Sequence, residues 1–105
     1  MTETNYNKLI RDKIPEIIKD SGKTPIVERA TGEYLLELLN SKLIEELDEY
    51  NVSGEIEELA DLVEVICGIL QHKGISLEEF DSIRQDKRHK RGAFDKGLVL
   101  KKVID

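Results

Sequence analysis

At 105 residues the chain is the length of one domain, 1–105, and its net charge of −6 with 39% apolar content and no tryptophan calls for an aliphatic core. No apolar run is long enough to cross a membrane, and the first residues lack the charged-then-apolar layout of a secretory signal. The lone Cys67 cannot close an internal disulfide, so a reducing, cytoplasmic setting is expected.

The first helix is expected within "NKLIRDKIPEIIKDSG", with Asp12 as N-cap, Pro15 in the first turn and Gly22 at the stop. Residues 23–30, "KTPIVERA", read as extended because of Pro25. A second helix starts near Thr31 and runs to about Tyr50, where "NVSG" breaks it. Ser53 is then placed to cap a third helix that ends near Lys73, before Gly74. "SLEE", Ser76 to Glu79, is a capping box for a fourth helix reaching Gly92. The tail "FDKGLVLKKVID" is irregular or a short β-like hairpin. Four helices joined by short breaks imply an all-α fold, an antiparallel four-helix bundle.

The central helices carry carboxylates on apolar faces. At about 100° per residue, Leu35, Leu39, Leu43, Leu47 and Tyr50 cluster on the second helix, and Glu46 projects between Leu35 and Leu39. On the third, Ile56, Leu59, Ala60, Val63, Ile66, Cys67 and Leu70 form the main stripe. Leu62, Val65 and Ile69 widen that stripe past half the circumference, and Glu58 falls inside the widened arc with Asp61 at its border. So wide an arc exceeds one packing face and points to a homo-oligomer, a dimer or a dimer of dimers.

Carboxylates inside a packed face are costly unless protonated, paired or bound to a cation. Glu46 and Glu49 are three apart, as are Glu58 and Asp61, so each pair can offer oxygens to one ion. Lys42, the one cation near the acids on these two helices, cannot offset all four. Hard oxygen donors select Mg²⁺, or Mn²⁺, over zinc. Taken singly, such acid pairs are common on solvated helices; the weight lies in two pairs on apolar faces of adjacent helices.

"EELDEY" followed by "EELADL" resembles the E-x-x-E … E-x-x-D signature of the MazG-like, all-α nucleoside triphosphate pyrophosphohydrolases, which include phosphoribosyl-ATP pyrophosphohydrolase. "NKLIRDKIPEII" and "KRGAF" resemble its small phosphoribosyl-ATP-pyrophosphohydrolase-like branch, with Ala93 where a second glycine is expected. The resemblance covers nearly the whole chain. It implies Mg²⁺-dependent cleavage of a nucleoside triphosphate to the monophosphate and pyrophosphate, with Glu46, Glu49, Glu58 and Asp61 as metal ligands. On that reading Glu45 or Glu49 accepts the attacking water's proton. The cations expected to grip phosphates are Lys8, Arg11 and Lys13 near the start, Lys42 on the second helix, and Lys87, Arg88 and Arg91 on the fourth. A house-cleaning role toward non-standard nucleotides and the histidine-pathway hydrolysis of phosphoribosyl-ATP share this chemistry. A non-enzymatic helical interaction module is the reading from a different class, and it predicts no stabilisation by metal. Nucleic-acid binding by the basic tract "DKRHKRG" is a fourth reading, weakened by the negative net charge and the shortness of the tract.

Overall fold

The computed structural model describes residues 2–105. It is all-helical, with α1 (Ile14–Asp20), α2 (Gly32–Ser53), α3 (Ile56–Lys73) and α4 (Leu77–Arg91), and no strand occurs among the described residues. The chain divides into two compact units, one up to Gly74 and one from Ile75 to Asp105.

In the first unit, α2 is rich in Leu and Glu, residues that lose little side-chain freedom in a helix. It runs past Tyr50 to Ser53, so the break is narrower than "NVSG". Gly54 ends it in the left-handed conformation, φ 68°, and donates its N–H to the Tyr50 carbonyl at 2.7 Å. The N-cap of α3 is Glu55 rather than Ser53. Ser53 Oγ instead accepts the Glu55 N–H at 3.1 Å, closing the two-residue connection. Lys13, not Asp12, is the N-cap of α1, and no side chain caps it there.

α2 and α3 pack on each other. Leu39, Val65 and Leu70 form the buried apolar core, and burying each such side chain is worth about 1.5–3 kcal/mol. Gly68 allows the close approach, since a Cβ there would stand 3.0 Å from Leu39 Cδ2. The face of α3 turned inward is the widened arc around Val65, with Glu58, Asp61, Leu62 and Ile69 half-buried beside it. Of the main stripe, Leu70 is buried and Leu59, Ile66 and Cys67 are half-buried, whereas Ile56, Ala60 and Val63 are exposed. An α3 whose apolar arc exceeds half its circumference leaves its orientation to its partner, and α2 brings its own acid, Glu46, to the contact.

In the second unit, Ser76 caps α4 by accepting the Glu79 N–H at 3.1 Å, and its hydroxyl donates to Glu79 Oε1 at 3.2 Å. Acids at the first turn and Arg88, His89, Lys90 and Arg91 at the last complement the helix dipole. Of the two expectations for the tail, irregular or β-like, the irregular one holds, with a turn in which Gly97 donates its N–H to the Phe94 carbonyl at 3.1 Å. The left-handed residue after α4 is Gly92, not Ala93, so the alanine fits without strain.

Candidate metal centre

Four carboxylates meet between α2 and α3. Glu46, Glu49, Glu58 and Asp61 each present an oxygen, and all four oxygens lie within 4.8 Å of one another. Helical spacing puts the two acids of each pair on one side of their helix, and the packing of α2 on α3 brings the pairs together. The burial is graded, with Glu46 buried, Glu58 and Asp61 half-buried, and Glu49 exposed. A shallow depression lined by Asp48, Glu49, Val52, Ser53 and Glu58 includes two of the four acids, exposed Glu49 and half-buried Glu58.

Glu46 is 6% exposed, as buried as the core leucines. Its Oε2 is buried with no hydrogen-bond partner. Burial pushes its carboxyl above the ordinary value, the adjacent Glu49 carboxylate and Asp61 push the same way, and Lys42 opposes them. Lys42 Nζ stands 3.5 Å from Glu46 Oε1 and 3.3 Å from Glu45 Oε1.

Two further cations arrive from outside the helical pair. The chain turns at Asn7, which adopts a left-handed φ of 48° that asparagine tolerates. Lys8 then reaches Glu45 Oε1 at 3.3 Å, and Arg11 Nη2 donates to Asp61 Oδ1 at 2.7 Å. The non-helical start of the chain is thus tied to α2 by one ion pair and to α3 by another. Burial alone would raise the Glu45 carboxyl, but Lys8 and Lys42 together hold it below its ordinary value.

The four expected ligands therefore converge, and Lys8, Arg11 and Lys42 stand at their edge. Glu45 is adjacent but outside the four-oxygen cluster. Lys13 is exposed at the start of α1 and forms no ion pair among the described residues. Lys87, Arg88 and Arg91 are exposed on α4 in the second unit, likewise without ion pairs among the described residues, whereas Arg84 and Lys90 are paired with Asp81 and Asp86. Sequence reasoning took Lys8 and Arg11 as phosphate ligands and missed their carboxylate partners. No local signal names those partners, because 37 residues separate Lys8 from Glu45 and 50 separate Arg11 from Asp61.

No family model matches the chain, and no solved structure matches it. An uncharacterized protein of Mycolicibacterium smegmatis is 40% identical over 42 residues, which make up 40% of this chain and 43% of that protein. The chain thus matches less than half the length of that relative.

Proposed function

We propose that the chain is a metal-dependent nucleoside triphosphate pyrophosphohydrolase of the MazG-like type, releasing a nucleoside monophosphate and pyrophosphate. The observation that carries this reading is the convergence of four carboxylates, one of which, Glu46, has a buried oxygen, Oε2, with no partner. An orphaned buried carboxylate oxygen is costly without a proton or a cation, and four hard oxygen donors suit Mg²⁺ or Mn²⁺. Glu46, Glu49, Glu58 and Asp61 would hold the ion. When bound, it supplies a positive charge against the triphosphate and lowers the pKa of water.

The chain's own groups account for the rest. Lys8, Arg11 and Lys42 present cations to phosphate oxygens, and Lys13, Lys87, Arg88 and Arg91 are further candidates. The oxygen of water bonds to the α-phosphorus as the bond to the bridging oxygen of pyrophosphate breaks, and a carboxylate takes the water's proton. Glu45 and Glu49 are both within this region. Glu45 holds its charge through two ammonium groups, which makes it the weaker base, and Glu49 is the more exposed of the two.

The helical pair is read as antiparallel: Leu39, early in α2, lies against Gly68, late in α3, while Glu46 further along α2 meets Glu58 and Asp61. A second copy would complete a four-helix bundle over the exposed Ile44, Leu47, Ile56 and Val63, as a dimer or a dimer of dimers. A cytoplasmic site of action accords with the nucleotide substrate.

A panel of nucleoside triphosphates, including non-standard bases, together with phosphoribosyl-ATP, each incubated with Mg²⁺, Mn²⁺ or EDTA, tests the reading. Pyrophosphate release that requires metal is expected from at least one of them. Release in EDTA, or none from any nucleotide with either metal, contradicts it.

A further inference from the structure

Two features of the carboxylate cluster stand apart from its fitness for a cation. The first is that Asp61, a member of the cluster, is already engaged by a guanidinium at 2.7 Å. The second is that this guanidinium belongs to a segment outside the helices, which pairs its charges with the helical pair at Lys8–Glu45 and Arg11–Asp61. Lys42 is engaged differently, from within α2, by Glu45 and Glu46. Glu49 and Glu58 have no cation partner among the described residues, so the cluster keeps an excess of negative charge.

We propose that Arg11 is an exchangeable counter-ion of the cluster: it holds Asp61 while no divalent cation is bound, yields that carboxylate when one binds, and then turns its guanidinium to the anionic part of the ligand. This rests on the reading of Glu46, Glu49, Glu58 and Asp61 as a divalent-cation site.

The contact is suited to exchange. The Arg11 and Asp61 side chains are 55% and 39% exposed, and an exposed pair of this kind contributes little net stability, so a cation can displace it at small cost. The guanidinium on a non-helical segment moves without disturbing α2 or α3. Glu46 differs on both counts, being buried and fixed within a helix. An arginine freed beside the cluster offers a planar fork that matches phosphate oxygens. The segment thereby senses whether the cluster is loaded before it commits its charge to the ligand. That order disfavours capture of a triphosphate lacking its metal.

The test is a calorimetric titration of the full chain with Mg²⁺ alone, and then with inorganic tripolyphosphate at saturating Mg²⁺. The proteins compared are wild type, Arg11→Ala, and Lys19→Ala as a control for the loss of one positive charge elsewhere. Because an exposed ion pair no longer competes, Arg11→Ala is expected to bind Mg²⁺ roughly two- to fivefold more tightly than wild type. It is expected to bind tripolyphosphate roughly tenfold more weakly, since a charge-assisted hydrogen bond is lost. Lys19→Ala leaves both unchanged, and equal melting temperatures in EDTA show that folding is not the cause. If Arg11→Ala binds Mg²⁺ no more tightly, or Lys19→Ala tightens it equally, the exchange is overturned while the metal site stands. Tripolyphosphate binding unchanged by Arg11→Ala overturns the turn toward the anion. No Mg²⁺ binding by wild type overturns the site and the exchange together.

Discussion

Glu46 and Leu39 are the two buried residues of α2, one an acid and one apolar. Leu39 is held by the hydrophobic effect alone. Glu46 occupies an equivalent depth with an unpartnered oxygen and a raised carboxyl, which burial and then Glu49 impose. The pH consequence in metal-free protein has a definite sign. The folded chain holds the Glu46 proton above the ordinary value of 4.5 and the unfolded chain does not. The stability so gained is therefore full below about pH 4.5 and is lost as pH rises through the folded value. Glu46→Gln keeps the neutral form at every pH, so in EDTA at pH 7 it should melt above wild type, with the gap closing toward pH 4. No gap at pH 7 contradicts the account of Glu46. The residue was legible in the sequence, because its projection between Leu35 and Leu39 already put an acid on an apolar face. What was not legible was which of the four acids would be buried most deeply, since that depends on the rotation of α3.

Among the elements, some helix ends and the inward face of α2 followed local chemistry, while the inward face of α3 followed it only in part. The stop of α3 at Gly74 and the Ser76 cap of α4 fall where the sequence placed them, because each depends on a few adjacent residues. The "NVSG" break was read too early, since Asn51 to Ser53 lack a residue that must leave the helix and only Gly54 does so. Gly54→Ala should therefore cost about 1 kcal/mol from the left-handed backbone alone, because open space surrounds the new Cβ. Chemical denaturation reads that loss, and an unchanged midpoint would show another residue ends α2. At Gly68 the constraint is steric. Gly68→Val drives a branched side chain toward Leu39 and should destabilise by about 1–3 kcal/mol. Leu39→Ala removes the other partner and should cost about 2–5 kcal/mol. If both variants are neutral, α2 and α3 do not meet there. The sequence placed Leu70, Leu59, Ile66 and Cys67 on the packed side of α3 but not the exposure of Ile56, Ala60 and Val63, because an apolar arc beyond half the circumference names no single direction.

For the whole molecule, charge and apolar surface are the relevant quantities. Acids crowd the chain from Glu28 to Glu64, while α4 ends in a basic turn. No described helix is long and apolar enough to cross a membrane. Ile44, Leu47, Ile56 and Val63 remain exposed on the two helices that carry the cluster. Such a surface is expected to be covered by a second copy, so light scattering at micromolar concentration should give at least a dimer, and Val63→Asp should lower the measured mass. A wild-type monomer contradicts the assembly and leaves the cluster as it is. The central claim is that the four carboxylates hold the ion that hydrolysis requires, and the most direct measurement is Mg²⁺-dependent pyrophosphate release by Glu58→Gln and Asp61→Asn. Both positions are half-buried and each amide keeps the shape of its acid, so both variants should fold, melt no lower than wild type in EDTA, lose the rise in melting temperature that Mg²⁺ gives wild type, and release no pyrophosphate. Full Mg²⁺-dependent release by both variants would place the reaction at other residues and contradict the account.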